Sequence, residues 1–158
     1  MIHFKTAPFT KTEQKKVYVS LGDHEKQVYQ FDYSNGTEHT DYLLSVIHKK
    51  GSGPRDNMPY MITDILGKLQ VETGKTSNLL LKFQYHNQDA RVTYTGLNQS
   101  MYDSDPDQNA ASWDALLVDR LAFSATHHYF GLADTLISNT FYAYRTSRDW
   151  WRRDVEDG

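Results

Sequence analysis
At 158 residues the chain suits one domain, long enough to bury well over half of its unfolded surface. A net charge of −3 argues against both a strongly basic nucleic-acid binder and an acidic mimic. The lack of cysteine excludes disulfides, thiolate metal sites and cysteine nucleophiles. No long apolar run or signal-like start is found, so a soluble cytoplasmic protein without a membrane segment is expected.

Ile2 and Phe4 alternate with His3 and Lys5 as a short strand that Pro8 ends. Val17, Val19 and Leu21, then Tyr29, Phe31 and Tyr33, keep the two-residue period of strands with one apolar face. They predict a hairpin turning through 22–26. Thr40 caps a predicted helix with Leu43, Val46 and Ile47 on its buried face and Gly51 at its end. A glycine-rich loop over 51–57 leads to a second helix through Met58, Met61, Ile62, Ile65 and Leu69, stopping by Gly74.

Leu79, Leu81, Phe83 and Tyr85 form the strongest alternation, and a turn at 87–90 joins them to Val92 and Tyr94 as a second hairpin. A polar loop over 98–109 then feeds a nearly unbroken helical pattern from Ser112 to Glu156. Trp113, Leu117, Leu121 and Ala125 recur every fourth residue there, and Leu116, Ala122, Phe123 and Phe130 widen the face. Gly131 breaks the pattern, which restarts near Asp134 and runs through Leu136, Ile137, Phe141, Tyr144, Trp151 and Val155. An antiparallel helical pair is expected, with a single kinked helix as the alternative. The fold class predicted is a single α+β domain over 1–158: a mostly antiparallel sheet of two hairpins, helices on one face, and a C-terminal helical pair.

Two constellations could carry chemistry. Asp103, Asp105, Asp107 and Asn109, with Asp114 at position twelve, follow the ligand spacing of a calcium loop whose last ligand enters the next helix. Gln108 stands where glycine normally makes the sharp turn, and Asp114 is shorter than the usual glutamate; the competing reading is a solvated acidic loop. In the tail, helical spacing puts Arg145, Arg148 and Arg152 on one face beside Trp150 and Trp151, with Arg153 following. Such a row could meet carboxylates or phosphates, unless Asp149, Asp154 and Glu156 neutralise it. The Gly74-Lys75-Thr76 tripeptide lacks the earlier glycine and the strand-to-helix setting of a phosphate loop. His127 and His128, adjacent on a helix, cannot share a metal through helical spacing.

No catalytic constellation emerges. The expected function is therefore a non-enzymatic regulatory or inhibitory module that occludes a protein partner, forming a homodimer through its helical block. Nucleic-acid binding through the arginine row is the alternative, and a divalent-metal hydrolase using the Asp103 loop is the third.

Overall fold
A computed structural model of the chain describes residues 7–131 and 135–152. It contains seven strands: β1 (Gln14–Leu21), β2 (Gln27–Gly36), β3 (Thr40–Gly51), β4 (Tyr60–Gly74), β5 (Ser77–Arg91), β6 (Ala115–Phe130) and β7 (Leu136–Trp151). Among the described residues the one helix, α1, is Gln99–Ser104, with the Asn98 side chain accepting from the Met101 amide. Every strand pairs antiparallel with its sequence neighbour, and the sheet order is β1-β2-β3-β4-β5-β6-β7.

This overturns the α+β expectation. The hairpin of β1 and β2 stands as expected, turning through 22–26. The predicted helix from Thr40 is β3, the one from Met58 is mostly β4, and the C-terminal helical pair is the hairpin of β6 and β7. Residues 87–90 make no turn, because β5 runs through them to Arg91. The first predicted strand, at Ile2 and Phe4, lies outside the described residues, as do Asp134 and Val155.

The physical reason for the helix error is a degeneracy of spacing. Residues four apart share a face in a helix, but they also share a face in a strand, whose period is two. Leu117, Leu121 and Ala125 satisfy both rules. Phe123 decides between them, since it lies on the same strand face but 200° around a helix from Leu121.

Connections alternate in length between the two ends of the sheet. At one end the strands are joined across 37–39, 75–76 and 131–135; at the other across 22–26, 52–59 and 92–114. In the 22–26 turn the Lys26 amide donates to Asp23 O, and both central residues, His24 and Glu25, have φ of 56°. Two successive positive φ values match the twist of a tight hairpin but strain side chains with a Cβ. His24→Gly is therefore expected to raise the unfolding free energy by about 1 kcal/mol, read as a higher denaturant midpoint at unchanged slope.

Among the described residues no central core forms. Leu43, Ala90, Ala111 and Ala115 are the buried apolar residues among those described, while large side chains from Val17 to Trp151 stay exposed. Burial gathers where the sheet is covered. Segment 7–13 lies over β2–β4, where Lys68 Nζ donates to Ala7 O (2.7 Å), Thr10 N donates to Ser34 Oγ (3.2 Å) and Lys11 pairs with Asp41 (3.1 Å). Loop 92–114 is tied to loop 52–59 by Asp56 N donating to Asp107 O and Arg55 donating to Thr95 O.

At the foot of β1, Glu13 bonds to Lys15 (2.8 Å) and accepts from the Tyr33 hydroxyl (3.2 Å). These contacts, the Lys15 bond first, hold its carboxyl below the usual glutamate range. The lowered value means the contact favours folding above the ordinary glutamate pKa, and the gain disappears as pH falls through the folded-state value. A carboxyl NMR titration is expected to place Glu13 below other exposed glutamates, and Lys15→Ala to move it back toward the usual range, the Tyr33 bond still holding part of the shift.

Candidate functional site
Cross-strand register sorts the side chains onto two faces of different chemistry. One face carries Val17, Val19 and Leu21 on β1, Tyr29, Phe31 and Tyr33 on β2, and Tyr42, Leu44 and Val46 on β3. It continues through Ile65, Gly67, Leu69 and Val71 on β4, and Leu79, Leu81, Phe83 and Tyr85 on β5. Leu121, Phe123 and Ala125 on β6, with Phe141 and Ala143 on β7, complete it. None of these positions carries a charge, and together they make one continuous apolar band. Much of it is open: Phe83 is 43% exposed and Phe141 65%. A contiguous apolar surface on this scale is not what a monomeric water-soluble protein leaves uncovered.

The band does not run straight across the ladder. Its upper edge lies at Leu21 on β1, at Tyr29 on β2, at Val46, Ile65, Tyr85 and Leu121 on β3–β6, and at Ala143 on β7. That edge descends about three ladder rows across the sheet, and rows about 6.8 Å apart on strands about 4.8 Å apart give a slope of about 35°. Beyond the edge, toward the long connections, the same face turns polar, with His48, Thr63, Asn87, Asp119 and Arg145. Tyr33 and Tyr42 pack tilted against each other (5.9 Å between centroids) near the short connections.

The opposite face is mixed at the same height and holds the charges that the band lacks, with Leu66, Ala122 and Tyr144 in one of its rows and Tyr18 and Ile47 in the next. Lys16, Asp32 and Ser45 share one row with Gln84, and Gln30, Asp64, His86 and Arg120 share the next. Its polar groups find one another: Ser45 Oγ donates to Asp32 (2.5 Å), Gln30 Nε2 donates to Asp32 (2.7 Å), and His86 Nδ1 lies 2.6 Å from Asp64 Oδ1. Lys68 stands opposite Lys82, with its ammonium 4.4 Å from the Phe9 ring centroid. A hollow of about 570 Å³ opens on this side between Asp64, Gln84, His86, Arg120 and Thr146.

The arginine row expected from helical spacing does not form. On β7, Arg145 lies on the apolar face in the row of Leu121, whereas Arg148 and Trp150 lie on the polar face. Arg153 lies outside the described residues. What the structure brings together is a stack that sequence reasoning missed. Arg148 sits over Trp150 (5.1 Å), Arg152 lies 5.6 Å from both the Trp150 and Tyr94 rings, and Tyr94 meets Trp150 edge-on. Tyr94, on a loop 56 residues earlier in the chain, gave no signal of this contact. Cation and ring alternate at the long-connection end of the polar face.

The acidic loop also differs from its expected setting. Asp103 lies in α1 and accepts from Gln99, Asp105 accepts from the Asp107 amide, and Asn109 accepts from the Ala111 amide. Asp114, 2% exposed, precedes strand β6 and not the helix that a calcium loop would enter. Among the described residues, no three acidic or histidine side chains are gathered closely enough to hold a metal ion. His127 and His128 point to opposite faces, His128 Nδ1 meeting Ser138 Oγ at 2.8 Å.

No family model and no curated protein matches the chain. Among solved structures, it is similar to the ferric citrate transporter FecA in its unliganded form, with a TM-score of 0.80 at 14% sequence identity. The match covers 95% of this chain and 24% of that one, so the chain spans about a quarter of the length of the structure it resembles. At that identity the likeness concerns the fold.

Proposed function
We propose that the sheet is part of the wall of a membrane-spanning β-barrel that lets a polar solute pass. The apolar face meets lipid and the opposite face lines the interior. The observation that carries this reading is the uncharged band crossing the strands obliquely. Barrel strands tilt by about 35–45°, so a horizontal lipid layer must cut them at that slope. The band's slope of about 35° meets this requirement. The short connections at one end and the long ones at the other follow the usual barrel asymmetry.

Two further points support it. Barrels of this type have eight strands or more, so the outer edges of β1 and β7 would pair with further strands. The similar solved structure is a transporter by name, although its cargo is a property of that protein. In this reading the protein belongs in a membrane, in place of the cytoplasm that the sequence suggested. A protein partner, the other expected role, finds its best support in the Arg148–Trp150–Arg152–Tyr94 stack at the long-connection end.

Reconstitution tests the proposal. After refolding with phospholipid vesicles, the protein is expected to float with them through a density gradient and to resist extraction by urea at alkaline pH. A protein that stays dispersed in buffer as a folded monomer, and leaves the vesicles unoccupied, contradicts it.

A further inference from the structure
We propose that the hollow on the apolar side of β2–β5, beyond the band's upper edge, binds the zwitterionic headgroup of a phospholipid. Its phosphate would lie against Lys50 and its ammonium against Asp89, two strands apart in one row, with Glu25 and Arg91 at the two ends of the hollow. This rests on the membrane reading and adds a specific lipid to it.

The hollow measures about 410 Å³, ample for a headgroup of this size. Gln27, Lys50, Met61 and Asp89 stand side by side in one row across four strands, all on the face that carries the apolar band. The row adjoins the band directly on β2, where Tyr29 is the next residue on that face, and lies two rows beyond it on β3–β5. A lipid held here would lay its acyl chains along Phe31, Val46 and Ile65 while its headgroup stays at polar depth.

Charge selects the headgroup. Two cations and two carboxylates converge on the hollow, so its formal charge is balanced. They do not neutralise one another: among the described residues, the Lys50, Glu25 and Asp89 side chains have no bonded partner. Arg91 reaches only the Trp113 carbonyl, at 3.5 Å. Separated charges of both signs match a ligand that carries both signs, and a net-negative headgroup would meet the carboxylates unfavourably.

Native mass spectrometry of the protein released from micelles doped equally with phosphatidylethanolamine and phosphatidylglycerol reads the outcome. Retention of phosphatidylethanolamine over phosphatidylglycerol by about tenfold is expected, and Lys50→Gln and Asp89→Asn should each reduce that retention about tenfold. Equal retention of the two lipids, a preference for phosphatidylglycerol, or unchanged retention in both variants overturns the proposal. Vesicle flotation of the same samples separates the two claims. Protein that floats without the lipid preference removes the headgroup site alone, whereas protein that fails to float removes the membrane reading with it.

Discussion

Phe83→Arg is expected to lower the unfolding free energy of the vesicle-bound protein by about 2–4 kcal/mol, and Gln84→Arg by less than about 1 kcal/mol. The two residues are neighbours in sequence and occupy opposite faces of the sheet. Phe83 lies in the middle of the apolar band, in one row with Gly67 and Phe123. An arginine there would carry its charge into hydrocarbon at mid-depth, where snorkelling to either surface is hardest. Gln84 stands between Leu66 and Ala122 on the opposite face and lines the hollow beside Arg120. A further cation at that position stays in water, so its cost is limited to screened repulsion from Arg120 and Lys82. Denaturant unfolding in vesicles, followed by tryptophan fluorescence, measures both. Equal losses for the two variants would place both faces in the same medium.

Gly36→Val is expected to cost about 1–3 kcal/mol by forcing segment 7–13 off the sheet. A Cβ at Gly36 would collide with the Asp41 carboxylate and come within 3.3 Å of the Lys11 backbone. Lys11 and Asp41 form the ion pair that pins the segment, with Asp41 nearly buried and Lys11 largely in solvent. Asp41→Ala removes that pin and is expected to cost about 1 kcal/mol, because the lysine regains hydration. The double variant should cost less than the two changes added, since both act on one contact. Limited proteolysis gives a second readout: cleavage within 7–13 should accelerate in each variant while the strands stay protected.

Part of this architecture is legible in the sequence. β1 and β2 alternate cleanly because Val17, Val19, Leu21, Tyr29, Phe31 and Tyr33 share the apolar face while polar or small residues separate most of them. The first half of β5 reads the same way. β3, β4 and the last hairpin resist because the face opposite the band also carries apolar residues, among them Leu43, Ile47, Ile62, Leu66, Leu116 and Val118. Leu43, Val46 and Ile47 then mimic one helical face, although Val46 lies on the apolar face and the other two on the opposite one.

The candidate surfaces were hidden for a related reason. A helical wheel unites Arg145 with Arg148, whereas strand geometry separates them by the thickness of the sheet. Sorting 115–130 and 136–151 by odd and even number would have exposed the pattern. So would weighing the eleven tyrosines, since aromatic rings are enriched in strands and at membrane interfaces. The contact between Tyr94 and Trp150 depends on tertiary placement, and no local spacing encodes it.

The absence of cysteine makes the central claim directly measurable, because any cysteine introduced is unique. Single cysteines placed in turn from Leu79 to His86, spin-labelled and reconstituted in vesicles, report local exposure to oxygen and to a water-soluble nickel chelate. The lipid-facing account predicts a two-residue period: oxygen dominates at Leu79, Leu81, Phe83 and Tyr85, and the chelate at Leu80, Lys82, Gln84 and His86. Chelate access equal at odd and even positions, or oxygen dominating on the even set, would contradict it.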